Sequence, residues 1–115
     1  MFYRIINKTK ERVIVERAKL ADNFFSRLVG FMFRKNIDKD EAIIFYNAPS
    51  IHTFFMYVPI DIVFLDKNMR VIKTKTLKPL RLAFCKNSFV TIELKENKVS
   101  ETSTEKGDLI EFQRV

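Results

Sequence analysis

From Glu41 to the C-terminus one pattern recurs: short runs rich in β-branched and aromatic residues, "AIIFYN", "SIHTFFM", "IDIVFLD", "RVIKTKTL", "SFVTIELK" and "DLIEFQRV". Turn-like "APS", "YVP", "DKNM", "KPLRLAFCKN" and "STEKGD" separate them. Successive runs lie roughly 8–12 residues apart, with longer gaps after "RVIKTKTL" and "SFVTIELK", the spacing of short strands joined by turns. Runs this short are stable only when several pair and share a core, so the pattern constrains the fold more than any other feature.

Upstream, "FYRIINKTKERVIVERAKLA" divides into Phe2 to Asn7 and Arg12 to Arg17, each with near period-two alternation, around the polar turn Lys8 to Glu11. A hairpin is expected. In "ADNFFSRLVGFMFRKN", Phe24, Phe25, Leu28, Val29 and Met32 stand at helical spacing, with Asp22 as candidate N-cap and Gly30 near the expected end. This predicts one short helix from about Asp22 to Val29, covering the sheet with Phe25, Leu28 and Met32. The expected fold is mainly β: a small antiparallel β-sandwich or barrel of about eight short strands, with one short helix near the N-terminus.

With 115 residues, no repeat and no linker, the chain reads as a single domain over 1–115. A hydrophobic content of 47% with 12 phenylalanines, against two glycines and three prolines, excludes disordered and low-complexity classes. Charges at Arg4, Lys8, Lys10, Glu11 and Arg12 interrupt the apolar core that a signal peptide needs. Phe54 to Leu65, the longest nearly apolar passage, is broken by Pro59 and Asp61 and is too short to span a bilayer. Cys85 alone forms no intramolecular disulfide, and with a single histidine there is no ligand set for structural zinc. A soluble, cytoplasmic protein without metal or cofactor is expected.

The charge is concentrated. Of 21 basic and 14 acidic residues, seven basic ones (Lys67, Arg70, Lys73, Lys75, Lys78, Arg81 and Lys86) and no acidic one fall between Lys67 and Ile92, so the remaining 14 of each sign cancel. Such a segment attracts phosphates, acidic lipids or an acidic partner, or else forms a solvated strand face. The phosphate-binding glycine loops are absent, since Gly30 and Gly107 are the only glycines, and no nucleic-acid-binding motif accompanies the basic segment.

The single histidine, His52, lies in the apolar "SIHTFFMYVPIDIVFLD" and has two readings: an acid, base or ligand, or a satisfied structural residue. Thr53, Asp61 and Arg81 supply the hydroxyl, carboxylate and guanidinium of an anion-binding pocket. If "SIHTFFM" pairs with "IDIVFLD" across Tyr57 to Pro59, His52 stands opposite Phe64 and Asp61 points to the other face, which disfavours a His-Asp dyad. Asp61, following Pro59 and Ile60, suits a structural role at the turn, its carboxylate accepting backbone N–H groups. Cys85, near Arg81 and Lys86, has positive neighbours but no positioned base.

"SRLVGFMFRKN", "SIHTFFMYVPIDIVFLDKNMRVIKTKTLKPLRL", "FVTIEL" and "GDLIEF", in that order from about Arg27 to Phe112, resemble the bacterial and archaeal family catalogued as domain of unknown function 192. The "IHTFFM" form resembles one branch of it. Pro59, Ile60 and Asp61 look like the family's proline-hydrophobic-aspartate step, and Lys78, Pro79, Leu80 and Arg81 look like its K-P-W-R turn with Leu80 in place of the aromatic residue. "LKENKV" replaces a glycine-containing turn. The resemblance implies a small, mainly β, sandwich-like domain and no particular activity.

These observations together point to a binding module for a small anionic ligand or acidic macromolecule, with His52, Thr53, Lys73, Lys75 and Arg81 as candidate ligand-binding residues and Asp61 as a structural one. Two alternatives stand beside it: a hydrolytic or transfer enzyme with His52 as general base assisted by Asp61 or Cys85, and an interaction domain whose signature residues are purely structural.

Overall fold

The N-terminal hairpin forms where the alternation places it, β1 (Phe2–Asn7) pairing antiparallel with β2 (Arg12–Leu20). The computed structural model describes residues 1–115 except the side chains of Phe24, Phe25 and Leu28, so the expectation that Phe25 and Leu28 cover the sheet lies outside the described residues. Helix α1 (Phe24–Val29) follows, with Asn23 rather than Asp22 as its N-cap. Asn23 accepts from the Ser26 N–H at 2.8 Å and Ser26 Oγ accepts from the Asn23 N–H at 3.3 Å, a reciprocal box that Asp22 is one residue too early to make.

The remaining elements are β3 (Glu41–Tyr46), β4 (Ser50–His52), β5 (Ile60–Leu65), β6 (Val71–Leu77), β7 (Leu82–Phe84), β8 (Val90–Lys95), helix α2 (Lys98–Glu101) and β9 (Ile110–Arg114). Seven strands form one sheet in the order β6-β5-β8-β3-β2-β1-β9, and β4 and β7 form a separate two-stranded ribbon. The large sheet curls into a half-barrel. Its two outer strands approach at one end, where Arg70 bridges Leu109 and the Val71 N–H donates to the Asp108 carbonyl at 2.9 Å.

Three features depart from the expected antiparallel sandwich or barrel of about eight strands with one N-terminal helix. Among the described residues there are nine strands, because "LAF", inside what reads as a long turn, pairs with β4. The sheet is mixed, since β2 and β3 run parallel from Arg17↔Glu41 to Leu20↔Ile44. The connection between them, which includes α1, is long enough for the crossover that parallel pairing requires. The helix anchored to the doubly covered β5 is not near the N-terminus but near the C-terminus: α2, which occupies the "LKENKV" loop and whose Val99 N–H donates to the Asp61 carboxylate of β5.

Strands β5 and β8 are adjacent, second and third in the sheet from the β6 edge, and covered on both faces. Alternation divides them between two apolar clusters. Val63, Leu65, Ile92 and Leu94 pack inside the curl with Ile5, Val15, Ile44 and Ile110. Ile60, Ile62 and Phe64 face the other way, against Phe31, Ile37, Phe45, Ile51, Met56 and Ala83. The ribbon and the segment after α1 thus cover the second face.

Asp61, 1% exposed, points into the curled side. Its carboxylate accepts from the Thr76 hydroxyl at 2.7 Å and from the Val99 N–H at 2.9 Å, tying β5 to β6 and to the first turn of α2. Asp61→Ala removes the shared acceptor of the exposed Thr76 hydroxyl and the half-buried Val99 N–H, a loss of about 0.5–1.5 kcal/mol for each bond. A marked fall in urea midpoint is expected, with hydrogen exchange accelerated first at Val99; an unmoved midpoint would show that α2 does not depend on this carboxylate.

Candidate functional site

His52 ends the ribbon strand β4. In the register Ser50↔Phe84, Ile51↔Ala83 and His52↔Leu82, Ile51 and Ala83 turn inward to the core, while His52, Leu82 and Phe84 share the outer side. The imidazole is half-buried and stacks on the Phe54 ring, centroids 5.3 Å apart, with Nδ1 accepting from the Phe54 N–H at 3.3 Å.

The expected pairing of "SIHTFFM" with "IDIVFLD" does not occur. Phe55 adopts φ +65°, so the chain turns before a second strand can start, and β5 is taken up between β6 and β8. Thr53 fixes the turn. Fully buried, its hydroxyl donates to the Lys78 carbonyl at 2.7 Å and accepts from the Arg81 N–H at 2.8 Å, clamping the "KPLR" turn to the end of β4.

A cleft of about 270 Å³ opens between this ribbon, the segment after α1 and the sheet. Its polar lining comes from Arg27, Asn47, Ser50, His52 and Glu93, and its apolar wall includes Phe31, Phe45 and Met56. Glu93 lies on β8 between Ile43 and Ile62 and is 5% exposed. Burial pushes its carboxyl up to about 8, opposed only in part by the Phe31 N–H. At neutral pH it is therefore largely protonated, a buried O–H donor beside an open space. Gly30 permits this arrangement: at φ +50° it ends α1, and a Cβ there would approach Glu93 Oε1 to 3.1 Å. Arg27 spans the rim, its guanidinium donating to the carbonyls of Tyr46 at 2.6 Å and Asn47 at 3.4 Å.

Sequence reasoning passed over Glu93. The signal was present in "FVTIEL": Thr91 and Glu93, two apart in an otherwise apolar strand, share the face that the cleft opens onto. Thr91 is satisfied by donating to the Ala48 carbonyl at 2.7 Å.

Of the other candidates, Lys73 and Arg81 come to the ribbon. Lys73 donates to the Phe84 carbonyl at 3.0 Å and lies 5.9 Å above the Phe64 ring, and Arg81 precedes β7 with its side chain exposed. Lys75, also exposed, points to the same side of β6 as Lys73, two residues along. Asp61 faces the opposite side of the sheet from the cleft, and Cys85 is a buried free thiol that does not line it. Neither joins His52, so the enzymatic alternative loses both assisting residues. Among the described residues no group of three or more His, Cys, Asp or Glu side chains is placed to hold a metal ion, and no helix is long and apolar enough to cross a membrane.

A family model, DUF192, described as an uncharacterized ACR, matches residues 5–112. A UPF0127 protein of Thermococcus sibiricus is 36% identical over 117 residues, covering 95% of this chain and 74% of the relative. One from Thermococcus kodakarensis is 38% identical, covering 94% and 72%. The fold is similar to the crystal structure of a putative transcription regulator from Sinorhizobium meliloti, with TM-score 0.82, 18% identity and coverage of 96% of this chain and 92% of that one. It is also similar to a protein of unknown function from Novosphingobium aromaticivorans, with TM-score 0.79, 18% identity and coverage of 96% and 84%. At 18% identity these two structures speak to the fold alone.

A carboxyl whose pKa rises on folding stabilises the folded state at low pH. For Glu93 that contribution is full below about 4.5 and is lost as pH rises through about 8. Wild-type stability should thus decline across this window, by on the order of 5 kcal/mol for a shift of this size. Glu93→Gln, neutral at every pH, should flatten that decline and raise the denaturation midpoint above pH 8. Parallel wild-type and variant profiles would show that Glu93 ionises normally.

Proposed function

This chain belongs to the DUF192 family, whose description assigns no activity, so we propose its function from the site: a binding module that takes a small ligand bearing an anionic group into the cleft between the β4–β7 ribbon and the sheet. The observation that carries this reading is the pairing, in one cleft, of a buried protonated carboxyl, Glu93, with a guanidinium, Arg27. A protonated acid donates a hydrogen bond to an oxyanion without adding a competing negative charge, and the Arg27 guanidinium, held by the Tyr46 and Asn47 carbonyls, brings a fixed positive charge and its remaining N–H groups. Ser50 and His52, whose side chains lie on the ribbon's outer side, border the cleft at its rim, and Phe31 and Met56 exclude water from the other side. A pocket that is apolar on one side, with a few convergent polar groups on the other, suits a small molecule.

The basic segment assists at longer range. Lys73 and Arg81 lie at the ribbon and Lys75 follows Lys73 on the same side of β6; all exposed, they supply a positive field that draws an anion towards the cleft. Thr53, with both hydrogen-bonding roles of its hydroxyl used within the fold, holds the turn that carries Arg81 and does not meet the ligand directly. In this reading residues 1–115 act as one domain, in the cytoplasm, where the free thiol of Cys85 stays reduced.

Titration of isotope-labelled protein with succinate and, separately, inorganic phosphate tests the proposal. Saturable shifts of the Ser50, His52 and Glu93 resonances are expected. Arg27→Ala should weaken binding about tenfold or more through loss of a charge-assisted bond, with the thermal midpoint checked to exclude unfolding. Shifts that do not saturate, or that map only to Lys73, Lys75 and Arg81, would contradict a cleft ligand.

A further inference from the structure

We propose that the outer face of the β4–β7 ribbon and its two flanking turns docks onto an anionic lipid surface. Most exposed large apolar side chains of the described residues gather there: Phe33, Phe54, Phe55, Leu80, Leu82 and Phe84, with Tyr57 beside them, whereas the others are at the two chain ends and Val13. The gathering is continuous. Leu82 and Phe84 alternate on β7 opposite His52 and Ser50, His52 stacks on Phe54, and Phe55 stacks on Phe33 with centroids 5.6 Å apart. An apolar patch of this kind on a small domain marks an interaction site.

The backbone gives a second, independent reason to look outside the chain for the partner. Phe33, Phe55 and Leu80 adopt φ of +65°, +65° and +63°, the left-handed region where bulky side chains are disfavoured and glycine or asparagine is at ease. They are also 59%, 61% and 67% exposed. Neither local conformation nor burial accounts for large apolar residues at these three positions, and contact with an external apolar phase does.

The charge identifies that phase. The "KPLR" turn and its surroundings place Lys73, Lys78, Arg81 and Lys86 around the patch, within a stretch from Lys67 to Ile92 that has no acidic residue. Apolar side chains at turn tips surrounded by a rim of one sign fit a bilayer interface: phenylalanine and leucine enter the acyl boundary while lysine and arginine stems reach back to anionic headgroups. A protein surface would instead need an apolar patch of matching shape ringed by acids. The inference does not rest on the cleft reading: Ser50 and His52 border both surfaces, but the cleft opens between the ribbon and the sheet, and the apolar residues of this surface are on the ribbon's outer side and its turns.

The test is co-sedimentation of the full chain with vesicles of phosphatidylcholine alone and of equal parts phosphatidylcholine and phosphatidylserine. Binding is expected to the anionic vesicles, weakening as salt rises, and far less to the neutral ones. Phe55→Gly with Leu80→Gly relieves both left-handed positions, so folding should be preserved while vesicle affinity falls about tenfold or more. Lys78→Glu with Arg81→Glu should do the same through charge. A chain that stays in the supernatant with anionic vesicles at low salt overturns the proposal, as does binding that both variant pairs leave unchanged. A concentration-dependent dimer dissolved by the glycine variants would assign the face to a second copy of the chain and overturn it too.

Discussion

Strands β5 and β8 run side by side just inside the β6 edge of the sheet with both faces covered, and the rest of the molecule is arranged around that burial. One face is closed by the curl of the sheet itself, as β1, β2 and β9 wrap round to bring Ile5, Val15 and Ile110 over Val63 and Leu94. The other requires an added layer, supplied by the long connection between β2 and β3 and by the β4–β7 ribbon. Double coverage also removes water from the polar side chains these strands carry, apart from the exposed Lys95 at the end of β8, and each must then be satisfied within the fold or stay uncharged. Asp61 is satisfied by Thr76 and α2, Thr91 by the Ala48 carbonyl, and Glu93 by retaining its proton.

The added layer is where the candidate chemistry lies. It does not seal the sheet completely: the cleft left between ribbon and sheet has Glu93 on one side and Arg27 on another, with His52 at the rim. The same ribbon turns Leu82 and Phe84 outward, because a strand that buries Ile51 and Ala83 on one side must present its alternate residues on the other. One short two-stranded element thus accounts for both an inner cleft and an outer apolar face.

Local patterns foretold the local structure. The alternation in "FYRIIN" and the apolar "IDIVFL" became strands over Phe2–Asn7 and Ile60–Leu65, and the fold is mainly β as expected. Partners were harder to read. Whether "SIHTFFM" pairs with its neighbour or with distant "LAF" depends on the left-handed Phe55 and on the Thr53 clamp, neither of which period-two reasoning registers. The parallel pairing of β2 with β3 likewise depends on a crossover that no local signal encodes. Helix α2 forms in a polar stretch because Asp61, far away in sequence, accepts from its Val99 N–H. At the site, His52 was conspicuous as the only histidine, while Glu93, one of many acids, becomes unusual only once both faces of its strand are known to be covered.

The central claim, that double coverage keeps a protonated carboxyl at the cleft, is tested most directly by following the side-chain carboxyl carbon of Glu93 by NMR as pH is raised. The account predicts a single transition with a midpoint near 8. A midpoint near 4.5, the ordinary value, would mean that Glu93 is ionised at neutral pH and that the cleft presents a negative charge rather than a hydrogen-bond donor.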